Sequence, residues 1–295
     1  MSYQSITVRP CTANIGAEID GIDLCQPLGN QQFQELHDAL MEHQVLFFRD
    51  QPVTVDQHKA LGRKFGDLHI HPGSPPPDGH PEILVVHADE NSKHVSGERW
   101  HTDVSCEDEP PMGSILHLWQ VPEVGGDTLF ASMYAAYDSL SERMKTYLDG
   151  LTAMHSGEQV YRGRYVDRGG DDSHKVYPTA VHPVVRTHPV TGRKALYVNR
   201  NFTTHILDLP RDESRDILEF LYRHCEKPDF QTRFKWQPHS IAFWDNRCVQ
   251  HLAIWDYYPQ IRSGYRVTIK GDRPHYSPAR RSRQARQPSR AWYSQ

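Results

Sequence analysis

The sequence predicts a mainly β protein with flanking helices and a closed or double-sheet core. Short runs of β-branched and aromatic residues recur along most of the chain, and turn-forming residues bound them. Apolar residues follow a helical spacing in only a few segments. The 295 residues show no internal repeat and no dividing linker, so we expect one large domain over residues 1–276.

The first hundred residues are expected to contain short strands and two helices. Apolar residues spaced three and four apart predict the first helix. Thr54 is a suitable N-cap for the second helix, which Gly66 would end. The expected elements are strands within 5–25, a helix over 30–43, a strand at 44–49, a helix from Thr54 to about 64, and a strand at 83–86.

The remainder of the chain is predicted to be richer in strands. Helical spacing covers 134–151 and 212–224, and Thr191-Gly192 between two β-type runs predicts a hairpin. Residues 155–180 have no clean period, which is typical of a functional lid or a disordered loop. The expected strands are 114–119, 129–130, 184–189, 195–198, 232–236, 240–244 and 265–270.

Composition excludes several classes of protein. The net charge is −4, which does not favour nucleic-acid binding. The chain has neither a visible signal peptide nor an apolar run near the roughly 20 residues of a membrane span. Five scattered cysteines predict reduced thiols and a cytoplasmic location. Residues 277–295 are basic and predict a flexible tail, with an anion-binding or oligomer-contacting arm as the alternative.

The stretch Trp100-His101-Thr102-Asp103-Val104 is the first candidate site. A strand would place His101 and Asp103 on one face, where both can reach one metal ion. A His-x-Asp triplet alone is a weak signal, but His251 offers a second imidazole after the strand that ends in Trp244. Two histidines and one carboxylate with open positions form the facial triad of non-haem Fe(II) oxygenases.

Two arginines, Arg262 and Arg266, follow this histidine. If 262–268 is one strand, both side chains lie on one face. Two guanidinium groups in one pocket repel each other unless anions bind there. The alternative is exposure on an edge strand, which fits Arg266 poorly because it alternates with Val267 and Ile269 as in a half-buried strand.

With these residues, the chain resembles the Fe(II)/2-oxoglutarate-dependent dioxygenases of the TauD/TfdA family. The resemblance covers nearly all of residues 5–276. It implies a double-stranded β-helix (jelly roll), and by analogy a homo-oligomer, a dimer or tetramer. Besides His251 and Arg262, it is carried by Ile15-Gly16-Ala17, Phe65-Gly66, Trp100-His101-Thr102-Asp103, Gly125-Gly126-Asp127-Thr128, Asn201-Phe202-Thr203-Thr204 and Trp244-Asp245-Asn246-Arg247.

The resemblance implies a role for each residue of the iron site. His101, Asp103 and His251 would bind Fe(II), with O2 as the second substrate. Arg262 would pair with the distal carboxylate of 2-oxoglutarate, helped by the hydroxyl of Thr128. A bidentate arginine suits this task because its planar fork fixes the orientation of a carboxylate. The implied reaction hydroxylates the carbon next to an anionic head group.

The expected substrate pocket departs from that of taurine dioxygenase. His71, Phe202 and Arg266 match residues around the sulfonate, and Val104 lies beside the iron ligands. Ser74 stands where that enzyme has a tyrosine, and Gly97 stands where it has an asparagine. Both changes remove polar groups, which disfavours taurine itself. The pocket is expected to take a small anionic substrate: a taurine-like or longer alkylsulfonate, a sulfate ester or an aryloxyalkanoate.

Two other classes of function remain as alternatives. One is a jelly-roll metal-binding protein without oxygenase activity, and the other is a zinc hydrolase. Thr128 and Arg262 argue against the first, since a metal binder needs no anchor for 2-oxoglutarate. The sequence offers no base and no water-activating arrangement for the second. With a sulfonate, the preferred reaction would release sulfite and an aldehyde, together with succinate and CO2.

Overall fold

The fold is described from a computed structural model. It describes residues 3–71, 76–93, 95, 97–163 and 174–278. Ser74, the middle of the 155–180 segment and the arginines of the basic tail lie outside the described residues. The domain boundary at residue 276 and the character of the tail therefore stay predictions.

The described residues form fifteen strands and six α-helices, of which the longest helices are α1, α2 and α6. The strands are β1 (Thr7–Pro10), β2 (Ala17–Asp20), β3 (Val45–Phe48), β4 (Ile83–Ala88), β5 (Gly113–Gln120), β6 (Thr128–Ser132), β7 (Thr152–Ser156), β8 (Thr179–Pro183), β9 (Val185–Thr187), β10 (Lys194–Leu196), β11 (Thr203–Ile206), β12 (Gln231–Phe234), β13 (Ser240–Asp245), β14 (Val249–Ala253) and β15 (Arg262–Ile269). The helices are α1 (Asn30–His43), α2 (Val55–Phe65), α3 (Met133–Asp138), α4 (Glu142–Leu148), α5 (Glu158–Tyr161) and α6 (Arg211–Cys225).

Two sheets enclose the part of the fold that concerns function. The larger sheet has the order β1-β2-β3-β13-β5-β15-β4, and the smaller has the order β12-β6-β14. Crossovers between distant strands, such as β13 beside β5, give the two-sheet jelly roll that the sequence predicts. Smaller sheets, β11-β7-β8 and β10-β9, extend this framework, and the predicted hairpin around Thr191-Gly192 is confirmed.

Strict alternation along the central strands divides the apolar residues between two cores. In β3, Val45 and Phe47 face the core shared with the smaller sheet, whereas Leu46 and Phe48 face the helices α1 and α2. The same alternation holds in β13, whereas the apolar residues of β15 (Tyr265, Val267 and Ile269) all face the helices and its arginines lie on the opposite face. Because neighbouring side chains of a strand point to opposite faces, the central strands are buried on both sides. This fixes which residues of β15 face the interior of the jelly roll.

The helix predictions are confirmed for α1, α2 and α6 and corrected for the fourth segment. Helix α2 begins after Thr54, whose hydroxyl accepts a hydrogen bond from the Gln57 backbone N–H. The segment predicted as one helix over 134–151 is two helices, α3 and α4. Ser141 caps the start of α4 by accepting from Met144 N–H, and such side-chain capping favours a new helix start over continuation. Within the described residues, no helix is both long and apolar enough to span a bilayer.

Candidate active site

The predicted site residues surround one cavity inside the jelly roll. Its volume is about 360 Å³ and its walls come from both sheets and from the loops at their ends. All the residues that the sequence singled out within the described chain line this cavity. They are His71, Gly97, His101, Asp103, Val104, Thr128, Phe202, His251, Arg262 and Arg266.

His101, Asp103 and His251 form a cluster at the inner end of the cavity. One ligand atom from each lies within 4.8 Å of the other two. His251 lies on β14, a strand that sequence reasoning missed, and it pairs with His101 through two backbone hydrogen bonds of 2.8 and 3.1 Å. This isolated bridge places the two imidazole rings 4.1 Å apart between centroids. The backbone therefore sets the spacing of the two histidines.

The strand predicted over 100–104 is wrong. His101 makes the single bridge to β14, and the chain turns immediately afterwards, from Asp103 to Cys106. Val104 has φ 49°, which is unusual for a β-branched residue. The turn, and not strand alternation, brings Asp103 towards His101. Local β-propensity is overridden because the turn residues are buried and hydrogen-bonded to distant segments.

Hydrogen bonds orient His101 and Asp103, the two predicted metal ligands of the first motif. The Nδ1 atom of His101 lies 2.7 Å from the Arg99 carbonyl, so it carries the proton and the Nε2 lone pair is left for a metal. The Oδ2 atom of Asp103 accepts from the Ser114 hydroxyl at 2.8 Å. The other oxygen, Oδ1, lies 3.7 and 3.9 Å from the Nε2 atoms of His101 and His251.

Arg266 contacts the carboxylate that faces the histidines. Its Nη1 donates to Asp103 Oδ1 at 2.7 Å, and both side chains are buried. Burial alone would raise the pKa of Asp103, but Arg266 and the two histidines hold this pKa well below its usual range. Arg266 Nε is buried and has no partner among the described residues. The guanidinium thus has donor capacity left for an anion in the cavity.

Two further residues, Ser114 and Asn246, support the turn at Asp103, and sequence reasoning gave neither a role. Asn246 Oδ1 accepts from the backbone N–H of Asp103 at 3.3 Å and from the indole N–H of Trp244 at 2.9 Å. Asn246 Nδ2 donates to the Ser114 hydroxyl at 3.1 Å. The available signal was the position of Asn246 in the Trp244-Asp245-Asn246-Arg247 stretch. The Asn246 side chain thus fixes the backbone of Asp103 and the Ser114 hydroxyl, which in turn contacts the Asp103 carboxylate.

Arg262 and Thr128 form the second polar group of the cavity. Arg262 Nε donates to the Gly126 carbonyl at 3.1 Å, and its Nη2 lies 3.4 Å from the Thr128 hydroxyl. Trp236 also donates to that hydroxyl, at 3.0 Å. Burial lowers the pKa of Arg262 to about 10, so the side chain stays charged at neutral pH. No carboxylate of the described chain lies within ion-pair distance of it, and a buried cation of this kind favours an anionic ligand.

An apolar wall forms another part of the cavity lining. Val104, Cys106, Tyr161 and Phe202 form a small buried cluster of their own. The Tyr161 ring lies 6.0 Å from the Phe202 ring and packs edge-on against His71 at the same distance. Tyr161 belongs to this wall although sequence reasoning gave it no role. The sequence gave little sign of this role, because Tyr161 lies in the 155–180 segment, whose apolar residues follow no clean period.

Gly97 lies against the iron-site histidine and carries no side chain into the cavity. Its φ is +94°, and a Cβ at this position would lie 3.3 Å from His101 Cε1 and 3.5 Å from Ala253 Cβ. Its carbonyl accepts from Ala253 N–H at 2.9 Å. The glycine therefore permits a close approach of the backbone to His101 and to β14.

The donor set of the cluster fits an iron(II) ion. The Nε2 atoms of His101 and His251 and one carboxylate oxygen of Asp103 lie within reach of one ion, and all three residues line the cavity. This arrangement matches the facial triad that leaves coordination positions for substrates. A second cluster, His188, Asp245 and Cys248, does not fit a metal in the same way. Both Asp245 oxygens accept from Arg247, and one also contacts His188.

The fold and this cluster together define the class of the non-haem iron oxygenases that use a jelly roll. The chain belongs to the TauD/TfdA family: the family model described as "Taurine catabolism dioxygenase TauD, TfdA family" matches residues 7–268. It is a 2-oxoglutarate-dependent dioxygenase, as the names of its relatives support.

Two relatives and one solved structure illustrate the similarity. The chain is 37% identical to the alpha-ketoglutarate-dependent sulfonate dioxygenase of Saccharomyces cerevisiae, over 91% of this chain and 68% of that protein. It is 35% identical to the alkylsulfatase of Acinetobacter baylyi, over 91% and 86%. A crystal structure of a taurine dioxygenase from Burkholderia xenovorans superposes with a TM-score of 0.80 at 36% identity, covering 92% of this chain and 91% of that one.

Proposed function

We propose that this dioxygenase oxidises the carbon next to the sulfonate or sulfate group of a small alkyl compound. The observation that carries the proposal is the position of Arg266. Its guanidinium lies in the cavity, beside the proposed metal ligand Asp103, with Nε still to be satisfied. An anionic head group bound by Arg266 and His71 would hold its neighbouring carbon close to the metal. Relatives named for sulfonates and alkyl sulfates support this substrate class.

The roles of the remaining residues follow from their contacts. His101, Asp103 and His251 would hold Fe(II), which supplies the activation of O2 when 2-oxoglutarate is bound. Arg262 would bind the distal carboxylate of 2-oxoglutarate, and the Thr128 hydroxyl would donate a further hydrogen bond to it. Such charge-assisted bonds contribute about 1.5–3 kcal/mol each. Ser114 would keep Asp103 oriented.

The charges around the cavity favour a substrate without an amine. Among the described lining residues, Asp103 is the single carboxylate, and it is engaged by Arg266 and Ser114. An ammonium group in this cavity would be desolvated without a counter-charge, which is costly. Val104, Phe202 and Tyr161 instead offer an apolar wall. We therefore infer that alkylsulfonates or alkyl sulfates are preferred over taurine. A homo-oligomeric state and a cytoplasmic location stay predictions.

The test is turnover of 2-oxoglutarate across a panel of candidate substrates. Purified enzyme with Fe(II) and ascorbate is given taurine, butanesulfonate, hexanesulfonate, hexyl sulfate or 2,4-dichlorophenoxyacetate. Succinate is measured in each case, with sulfite, sulfate and phenol as the matching products. We expect the highest substrate-dependent succinate formation with hexanesulfonate or hexyl sulfate, and about one molecule of sulfite or sulfate per succinate. Higher turnover of taurine or of the aryloxyacetate would overturn the substrate assignment.

Two controls separate the enzyme class from the substrate class. The His101→Ala variant should not form succinate, since it lacks a metal ligand. Succinate formation without sulfite or sulfate, at the same rate with and without each compound, would leave the dioxygenase class intact and refute the sulfonate and sulfate substrates. No iron-dependent succinate at all would favour a non-enzymatic metal-binding role.

A further inference from the structure

The turn that follows Asp103 is tied to two other loops of the cavity by side-chain hydrogen bonds, one buried and one partly buried. Ser105 is bound to Asn199, and Glu107 is bound to His69. We propose that these two pairs form a clamp in which Asn199 and His69 act as positioning residues that set substrate specificity. The proposal rests on the substrate pocket assigned above, since it concerns the placement of three of its walls.

The first pair connects the turn with the loop that carries Phe202. Asn199 Nδ2 donates to the Ser105 hydroxyl at 3.0 Å, and Asn199 Oδ1 accepts from the backbone N–H of Phe202 at 3.0 Å. Asn199 and Ser105 are 2% and 0% exposed, so water cannot replace either bond. The amide of Asn199 therefore links Ser105, the residue after Val104, directly to Phe202. Truncating it would leave the buried N–H of Phe202 without its acceptor, and it would leave the Ser105 hydroxyl with His155 as its remaining partner.

The second pair connects the same turn with the segment that carries His71. His69 Nε2 lies 2.8 Å from Glu107 Oε2, and His69 is buried. The backbone N–H of His69 donates to the Thr268 carbonyl at 2.8 Å, which fixes this segment to β15. The carboxylate of Glu107 thus ties the turn to the segment two residues before His71.

The conformation of Val104 explains why the turn needs a clamp. A β-branched residue with φ 49° is strained, because its side chain crowds the backbone in the left-handed region. Such a conformation persists only where the surrounding contacts determine it. Ser105, which follows Val104 directly, is bound to Asn199, and Glu107, further along the same turn, is bound to His69. Without them, the turn can relax and move the Val104 side chain relative to the metal ligand Asp103.

The first experiment measures substrate use in the holoenzyme. With hexanesulfonate, we expect Asn199→Ala to raise the KM about tenfold or more and to raise the share of succinate formed without sulfite. The KM for 2-oxoglutarate should stay within about twofold, because Arg262 and Thr128 lie on other elements. Equal increases of both KM values would overturn the proposal, since they would indicate a general loss of structure.

Two variants keep this test decisive. Gln51→Ala is the matched control, because Gln51 is a buried amide that ties its own segment to the backbone of residues 22–24 and does not line the cavity. It should lower stability without changing the hexanesulfonate KM. Ser105→Ala breaks one bond of Asn199 and tests the link even if Asn199→Ala fails to fold. In a double-mutant cycle, the Asn199 and Ser105 effects on KM should be strongly non-additive, and additive effects would refute the clamp.

Hydrogen exchange provides a readout that does not depend on the substrate. In the protein loaded with Mn(II) and N-oxalylglycine, Asn199→Ala should accelerate amide exchange in both 103–107 and 200–206. His69→Gln should accelerate exchange in 103–107 and leave 200–206 closer to the wild type. Unchanged exchange in 103–107 would overturn the proposal. If the wild type oxidises no sulfonate, the proposed function fails, and this measurement still decides on the clamp.

Discussion

Arg266 Nη1 lies 2.7 Å from Asp103 Oδ1, the carboxylate oxygen that also faces His101 and His251. The proposed substrate anchor therefore contacts a proposed metal ligand directly. The Asp103 oxygen that would bind Fe(II) also accepts a hydrogen bond from Arg266. A substrate anion bound to Arg266 would weaken the hydrogen bond from Arg266 to Asp103 Oδ1. This oxygen would then donate more electron density to the metal. By linkage, the metal then strengthens binding of the anion to the same extent.

Removing this guanidinium should change metal and substrate binding in opposite directions. We expect Arg266→Ala to bind Mn(II) about threefold or more tightly in the absence of substrate, because a neighbouring positive charge is lost. The KM for hexanesulfonate should rise about tenfold or more. Mn(II) binding is measured by electron paramagnetic resonance and KM by succinate formation. Arg215→Ala, on the exposed face of α6, is the control, and weaker Mn(II) binding in Arg266→Ala would show that the arginine mainly orients Asp103.

The Arg262–Thr128 pair predicts a separate effect on the co-substrate. Arg262→Ala should raise the KM for 2-oxoglutarate about a hundredfold, since a buried carboxylate would lose its counter-charge. Thr128→Val should raise it about fivefold, because Trp236 also loses its acceptor. Mn(II) binding should be unchanged in both variants, since neither residue belongs to the metal cluster. Loss of Mn(II) binding together with the KM effect would contradict this division of roles.

Gly97 predicts a steric effect on the metal site. In Gly97→Ala, the new Cβ would lie 3.3 Å from His101 Cε1, and the backbone would keep a φ of +94°. We expect weaker Mn(II) binding by about threefold or more, with a loss of stability of about 1 kcal/mol. Gly192→Ala is the matched control, since Gly192 also has positive φ but has no atom within 4 Å of an added Cβ. An equal change of Mn(II) affinity in both variants would exclude the contact with His101 as the cause.

The sequence predicted the parts of the fold whose pattern reflects burial. Runs of apolar and aromatic residues predicted β3 and β13, and the Thr54 cap predicted α2, because each signal lies within the element itself. The turn after Asp103 could not be predicted in this way. Its conformation depends on partners nearly a hundred residues away, such as Asn199 for Ser105. The resemblance brought together the residues of the site, but local propensity gave the wrong geometry for the first motif.

Sequence patterns also missed the hydrogen bonds that orient the side chains of the site. Hydroxyl and amide side chains such as Ser114 and Asn246 have no periodicity that would single them out. Their contribution depends on a hydrogen bond across strands, between residues 132 positions apart. Only the fold shows that Ser114 contacts the carboxylate of Asp103 and that Asn246 contacts its backbone N–H.

Buried histidines predict how the stability of the fold depends on pH. Burial lowers the pKa of His58 to about 3, and it lowers the pKa of both His117 and His182 to about 4. In the unfolded chain these groups have pKa values near 6.5. Between these values the unfolded chain binds more protons, so stability falls as the pH decreases from about 6.5 towards 4. Above about pH 7 the histidines contribute no pH dependence.

A His58→Gln variant isolates one of these groups. His58 Nε2 lies 3.0 Å from the Ile115 carbonyl, and a glutamine can keep a donor there while removing the titration. Between pH 7.5 and 5.5, the variant should lose about 1.4 kcal/mol less unfolding free energy than the wild type. Urea unfolding at both pH values measures this difference. His205→Gln, at an exposed position on β11, should follow the wild type. Parallel pH curves for His58→Gln and the wild type would show that His58 is not held neutral by the folded protein.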